Sequence, residues 1–212
     1  MNTSFKTRRL VLSAMFAALC CVFTLAIRIP IPVTGGFIHP GDGFVILSGV
    51  VLGPVYGFLA AGIGSAMANV IGGHILWAPA TLIIKGSIAL LSGLIYYRFG
   101  KTIKTKSLSV MGGGVVDMVL VAGGYLLYEF GMVMNGVLAE IPELTGLGAG
   151  GIFAVLAITS IPFNLIQGLS GLIIAVALHP IFLKIPGVMV YGEIKAKSSK
   201  SIARNREMAD IG

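Results

Sequence analysis

From Leu10 to Ile27 the chain carries no charged side chain. As a helix, those eighteen residues would reach about 27 Å, close to the ~30 Å hydrocarbon core of a bilayer. Further apolar segments fall at 44–56, 57–73, 79–97, 108–134 and 151–183. Only 11% of the residues are charged and 56% are hydrophobic. Soluble domains carry about 25% charged residues, so this chain cannot clothe a water-facing globule. The expected fold is an all-α membrane protein of six transmembrane helices, formed by residues 1–190, with 191–212 as a basic, flexible tail.

Punctuation refines this reading. The block 44–73 is too long for one helix and too short for two full ones, and Gly53-Pro54 divides it. The run after the basic start "MNTSFKTRRL" shows no small-residue cleavage site before Arg28, so it reads as a retained helix. Adjacent Cys20 and Cys21 read as small apolar residues.

The net charge of +7 has a topological explanation. With six spans, both termini share one side. That side collects 13 of the 15 basic residues, with only Arg28 and Lys85 outside the pattern. The positive-inside rule makes it the cytoplasm. Charge therefore points to orientation, not to nucleic acid. Small residues recur at spacing four, as at Ala14 and Ala18 or at Ala60, Gly64 and Ala68. Such stripes suit close helix packing. On helix 1 the alternative is a flat docking face for another membrane subunit.

Polar groups inside the spans need a partner or a task. Lys85 and Glu129 share a depth near the outer surface, so they pair with each other or meet a polar ligand. Asp117 lies nearer the cytoplasmic end and reads as structural. Asn164 and Gln167 sit three apart on one helix face behind Pro162. They suit either a heteroaromatic ligand or an interhelical hydrogen bond. Trp77 and Tyr125, with Asn69, His74 and Tyr128 nearby, could stack on a flat ring. The segment "TGGFIHPGDGF" places His39, Gly41, Asp42 and Gly43 in a sixteen-residue connection, 28–43. Bundles usually connect helices with two to eight residues, so this one reads as a lid over a pocket. There is no P-loop, and the three histidines lack metal-ligand spacing. Neither a catalytic site nor a bound cofactor or metal is expected.

Taken together, the alanine pair on helix 1, the loop "GGFIHPGDGFVILSGVVLGPVYG", the stretch "GGHILWAPATLIIKG" and "IPFNLIQGLSG" resemble the substrate-binding S component of energy-coupling factor (ECF) vitamin transporters. The resemblance implies a prokaryotic plasma-membrane protein that binds a small water-soluble vitamin from outside. It implies an EcfT-type membrane coupling subunit docking at Ala14 and Ala18, and two cytoplasmic ATPases. Within the family the loop and the "APATLIIKG" stretch look most like proteins for vitamin B6-type or hydroxymethylpyrimidine substrates, with riboflavin or pantothenate as alternatives. A stand-alone proton-coupled transporter, working through Glu129 or Asp117, is the competing class. A structural membrane subunit that binds no ligand is a third.

Overall fold

The computed structural model describes residues 3–137, 141–189 and 191–193. Six α-helices dominate: α1 (Thr3–Ala26), α2 (Asp42–Leu52), α3 (Pro54–Ile71), α4 (Ala78–Phe99), α5 (Ile103–Met134) and α6 (Ala149–Lys184). A two-residue antiparallel ladder, β1 (Ile29–Pro30) with β2 (Phe37–Ile38), stiffens the connection after α1. The tail expected after residue 190 lies almost wholly outside the described residues.

Five of the helices are long and apolar enough to cross a bilayer. The sixth, α2, is not. Its 11 residues reach about 16 Å, half the hydrocarbon thickness. The short helix expected before Gly53-Pro54 is present, but it is no span of its own, so five candidate spans stand where six were expected. All eleven α2 residues are buried, packed against α1, α3, α4 and α6. Val45, Ile46, Leu47, Val50, Val51 and Leu52 form much of the central core. Lipid is as apolar as these side chains, so close packing holds them together more than exclusion of water does. Gly49 illustrates the tightness. A Cβ there would collide with the Ala89 carbonyl of α4.

The break at Gly53 is steric. Its φ of 84° is left-handed, a region glycine enters freely. Pro54 then opens α3 at a position where its missing N–H costs nothing. The ring of Tyr191 covers Gly53 and packs on Tyr97, 4.6 Å between centroids. Tyr97 donates to the Val50 carbonyl at 2.7 Å. Arg8 pairs with Glu193, and Arg9 lies 3.6 Å over the Tyr56 ring. These contacts seal the basic end of the bundle. At the opposite end the half-length α2 leaves room, and the connection 27–41 folds down into it.

Candidate substrate pocket

A cavity occupies that room, with about 370 Å³ of free space that is in part open to solvent. The loop contributes Ile31, Gly36, Phe37 and His39, and α3 contributes Asn69. Trp77 comes from the turn just before α4, Thr81 from the first turn of α4, Tyr125 and Glu129 from α5, and Asn164 and Gln167 from α6. Seven residues singled out from the sequence are thus brought together: His39, Asn69, Trp77, Tyr125, Glu129, Asn164 and Gln167. Thr81 and Phe37 were missed, though spacing could have found them. Thr81 follows Trp77 by four residues, one helical turn, and Phe37 precedes His39 by two, the period of extended chain.

Hydrogen bonds fix the walls. Asn69 Nδ2 donates to Thr81 Oγ1 at 2.6 Å, and Thr81 Oγ1 lies 2.9 Å from the Tyr125 hydroxyl. Ser160 donates to Glu129 Oε2 at 2.6 Å. Gln167 joins floor to lid. Its Nε2 donates to Asp42 at 2.7 Å, while its Oε1 accepts from the His39 backbone N–H at 3.1 Å. Asn164 differs from all of these. It is 2% exposed, yet its Nδ2 has no hydrogen-bond partner among the described residues. A buried donor without an acceptor costs about 1–3 kcal/mol, which sets this amide apart from the other polar groups of the walls.

Lys85 corrects the sequence reading. Its partner is Asp42, at 2.6 Å and with both side chains fully buried, not Glu129. It does not line the cavity and instead lies behind Tyr125, 5.6 Å from the ring centroid. Asp42 and Gly43 are not lid residues either. They form the first turn of α2, where a Cβ on Gly43 would run into Ile174. Gly41 precedes that turn, and a Cβ there would come within 2.8 Å of Thr24 Oγ1. Replacing these glycines would therefore disturb packing instead of measuring mobility. Asp117, read from the sequence as structural or interface-facing, does not line the cavity. It is fully buried near Asp42, across Gly171, and neither of its oxygens finds a hydrogen-bond partner among the described residues.

The lid is ordered by its own chemistry. Ile31 N–H donates to the Gly36 carbonyl, and Thr34 N–H donates to Pro32 across a three-residue turn. Val33, at the centre of that turn, has a φ of 74°. A β-branched residue rarely adopts such a φ, and it costs about 1–3 kcal/mol. Gly41 N–H donates to His39 Nδ1 at 3.1 Å, so the imidazole serves as an acceptor and is neutral. Burial agrees, holding His39 down at about 4. Above it, Phe37 packs on His74 at 4.7 Å between ring centroids. Arg28 lies 5.5 Å over the outer Phe37 ring and bonds the Gly72 carbonyl. Desolvation and Arg28 both lower the His74 pKa.

Residues 4–184 match the family described as "ECF-type riboflavin transporter, S component". The chain belongs to that family. It is a membrane transport component, not an enzyme. A solved S component of a bacterial ECF transporter superposes with a TM-score of 0.56 at 22% identity, over 85% of this chain and 99% of that one. At that identity the likeness concerns the fold. An uncharacterized protein in gap 3′ region of Pyrococcus woesei is 36% identical over 137 residues, 61% of this chain and 88% of the relative.

The S-component fold gives α1 a distinctive surface. Only 17% of its most apolar window is buried. Ala14 and Ala18 are exposed on one face together with Val11, Met15 and Val22. The opposite face, with Phe16 and Cys20, is fully buried in the core.

Proposed function

We propose that this chain binds riboflavin in the cavity beneath the 27–41 loop and presents it for import. The observation that carries the reading is the cavity itself. It combines aromatic side chains, Trp77 and Tyr125, with amide, hydroxyl and carboxylate groups, and it includes a buried Asn164 amide lacking a partner. The family description names riboflavin, which moves the proposal from vitamin B6-type or hydroxymethylpyrimidine ligands to the flavin.

In this reading Trp77 and Tyr125 hold the flat ring, while Asn164, Gln167 and Glu129 meet its polar edge or side chain. His39 and Phe37 close the site from above. The exposed Ala14/Ala18 face of α1 docks an EcfT-type subunit, since a smooth small-residue surface permits close helix approach. Separate ATPases supply the energy. The basic end, with both termini, faces the cytoplasm, and the pocket opens outward.

The test is a ligand titration of the purified chain without partners, read by thermal stabilisation and by fluorescence of Trp77, the one tryptophan. Saturable, stoichiometric binding of riboflavin is expected. Binding of pyridoxine with no response to riboflavin would move the substrate to the B6 class. No response to any vitamin would overturn the receptor reading. Uptake by the lone chain in liposomes under a proton gradient would favour a stand-alone transporter.

A further inference from the structure

Among the described residues, the acidic and basic side chains closest to the pocket can be traced one by one. Glu129 is the sole Asp or Glu among the lining residues, and no Lys or Arg is there. Lys85, the nearest buried cation, is neutralised by Asp42 at 2.6 Å and has no exposed surface. His39 spends its Nδ1 as an acceptor from Gly41. Arg28 lies on the outer side of Phe37 and is bound to the Gly72 carbonyl. Helix ends offer no substitute. The positive N-terminus of α2 already carries Asp42 in its first turn. The first turn of α4 meets the cavity through Thr81, whose hydroxyl is engaged by Asn69 and Tyr125.

A phosphate ester brings a charge of about −1.5 to −2 and only acceptor oxygens. Sites that hold such groups supply Arg, Lys or free backbone N–H groups. Here the same ligand would meet a carboxylate in a region of low dielectric, where like charges repel strongly.

We infer that Glu129 sets the specificity of the pocket: it admits the uncharged, non-phosphorylated vitamin and rejects its phosphate ester. The carboxylate does two things. It accepts from N–H or O–H donors on a neutral ligand, and it opposes an anion. Ser160 holds it in place by donating to Oε2, and the Thr34 and Trp77 side chains also interact with it. Oε1 lies toward Gly36 of the lid, 3.5 Å from where a Cβ on that glycine would sit. The choice is thus made where the loop closes over the ligand. Upstream, a phosphatase-type reaction must release the free vitamin from any phosphorylated form outside. Downstream, a kinase-type reaction would make the ester that this pocket does not readmit.

This inference rests on the pocket assignment, and its test separates the two. Purified wild-type protein and Glu129→Gln are titrated with riboflavin and with riboflavin 5′-phosphate. The wild type is expected to prefer the free vitamin by about 100-fold, with the ratio falling at least about 10-fold in Glu129→Gln because the ester binds better. Asn164→Ala should weaken both ligands and keep the ratio. Equal wild-type affinities would overturn the inference without any variant. So would an unchanged ratio in a Glu129→Gln protein whose melting point is normal. Should neither flavin bind while pyridoxine does, the flavin reading fails alone, and the pyridoxine to pyridoxal 5′-phosphate ratio answers the same question with the same criteria.

Discussion

Two polar layers lie next to each other in this bundle, and they behave as opposites. In the lower one, Asp42 meets Lys85 at 2.6 Å and Gln167 at 2.7 Å, deep inside the helices. In the upper one, Asn164 is buried with an Nδ2 that finds no partner among the described residues, and Glu129 has one oxygen tied to Ser160. The same residue types occur in both. What separates a strut from a receptor is whether hydrogen-bonding capacity is used up inside the protein. Gln167 belongs to both layers, because it also holds the His39 backbone of the lid. Closure over a ligand is therefore mechanically linked to the ion pair beneath.

The sharpest way to break the contrast is Lys85→Met. It strands the Asp42 carboxylate in the interior, which typically costs about 3–5 kcal/mol. A large fall in melting temperature, or loss of folded protein, is expected. Lys85→Met combined with Asp42→Asn should recover a good part of it, since the uncompensated charge is gone. If Lys85→Met instead left stability intact and abolished binding, the lower layer would belong to the pocket.

The lid offers a second, smaller test. His39 sits at about 4 against an ordinary 6.5. Between those values the displaced loop takes up a proton that the closed loop refuses. Stability of the closed lid is therefore complete above pH 6.5 and drains away as pH falls toward 4, by roughly 3 kcal/mol over the window. Protonation also removes the acceptor for Gly41 N–H. Hydrogen exchange in residues 28–41 should accelerate at pH 5 relative to pH 7, with the α2 core unaffected. A lid equally protected at both values would mean that His39 is not what holds it.

Smallest in stability, and most specific, is Asn164→Ala. Its Nδ2 bonds nothing in the unliganded protein, so the melting temperature should barely move. Vitamin affinity should drop about 10-fold, the worth of one buried hydrogen bond. A drop in stability with unchanged affinity would place Asn164 in the structural layer.

Much of the site was legible because its chemistry is exceptional for its surroundings. In a chain with 11% charged residues, an amide pair behind a proline or a glutamate beside tyrosines stands out. His39, Trp77, Tyr125, Glu129, Asn164 and Gln167 were found that way. Asp42 and Lys85 stood out equally and were placed wrongly. Polarity shows that a residue needs a partner, but not which one. The two are 43 positions apart, and their meeting depends on the rotation of α4 and on where α2 begins. For Asp117 the depth along α5 could be counted, yet the helix face it occupies could not.

The sequence alone determined the solvent. Charge-poor segments of bilayer length leave no other environment, and the uneven basic residues bias the orientation. It also located the helix break at Gly53-Pro54, since backbone sterics there are local. Only the tertiary structure decided that the short α2 is buried all round, that the vacated half becomes a cavity, and that one acid–base pair seals its floor. Those outcomes turn on contacts between segments far apart in the chain, where helix phase and depth, invisible in a linear pattern, choose the partner.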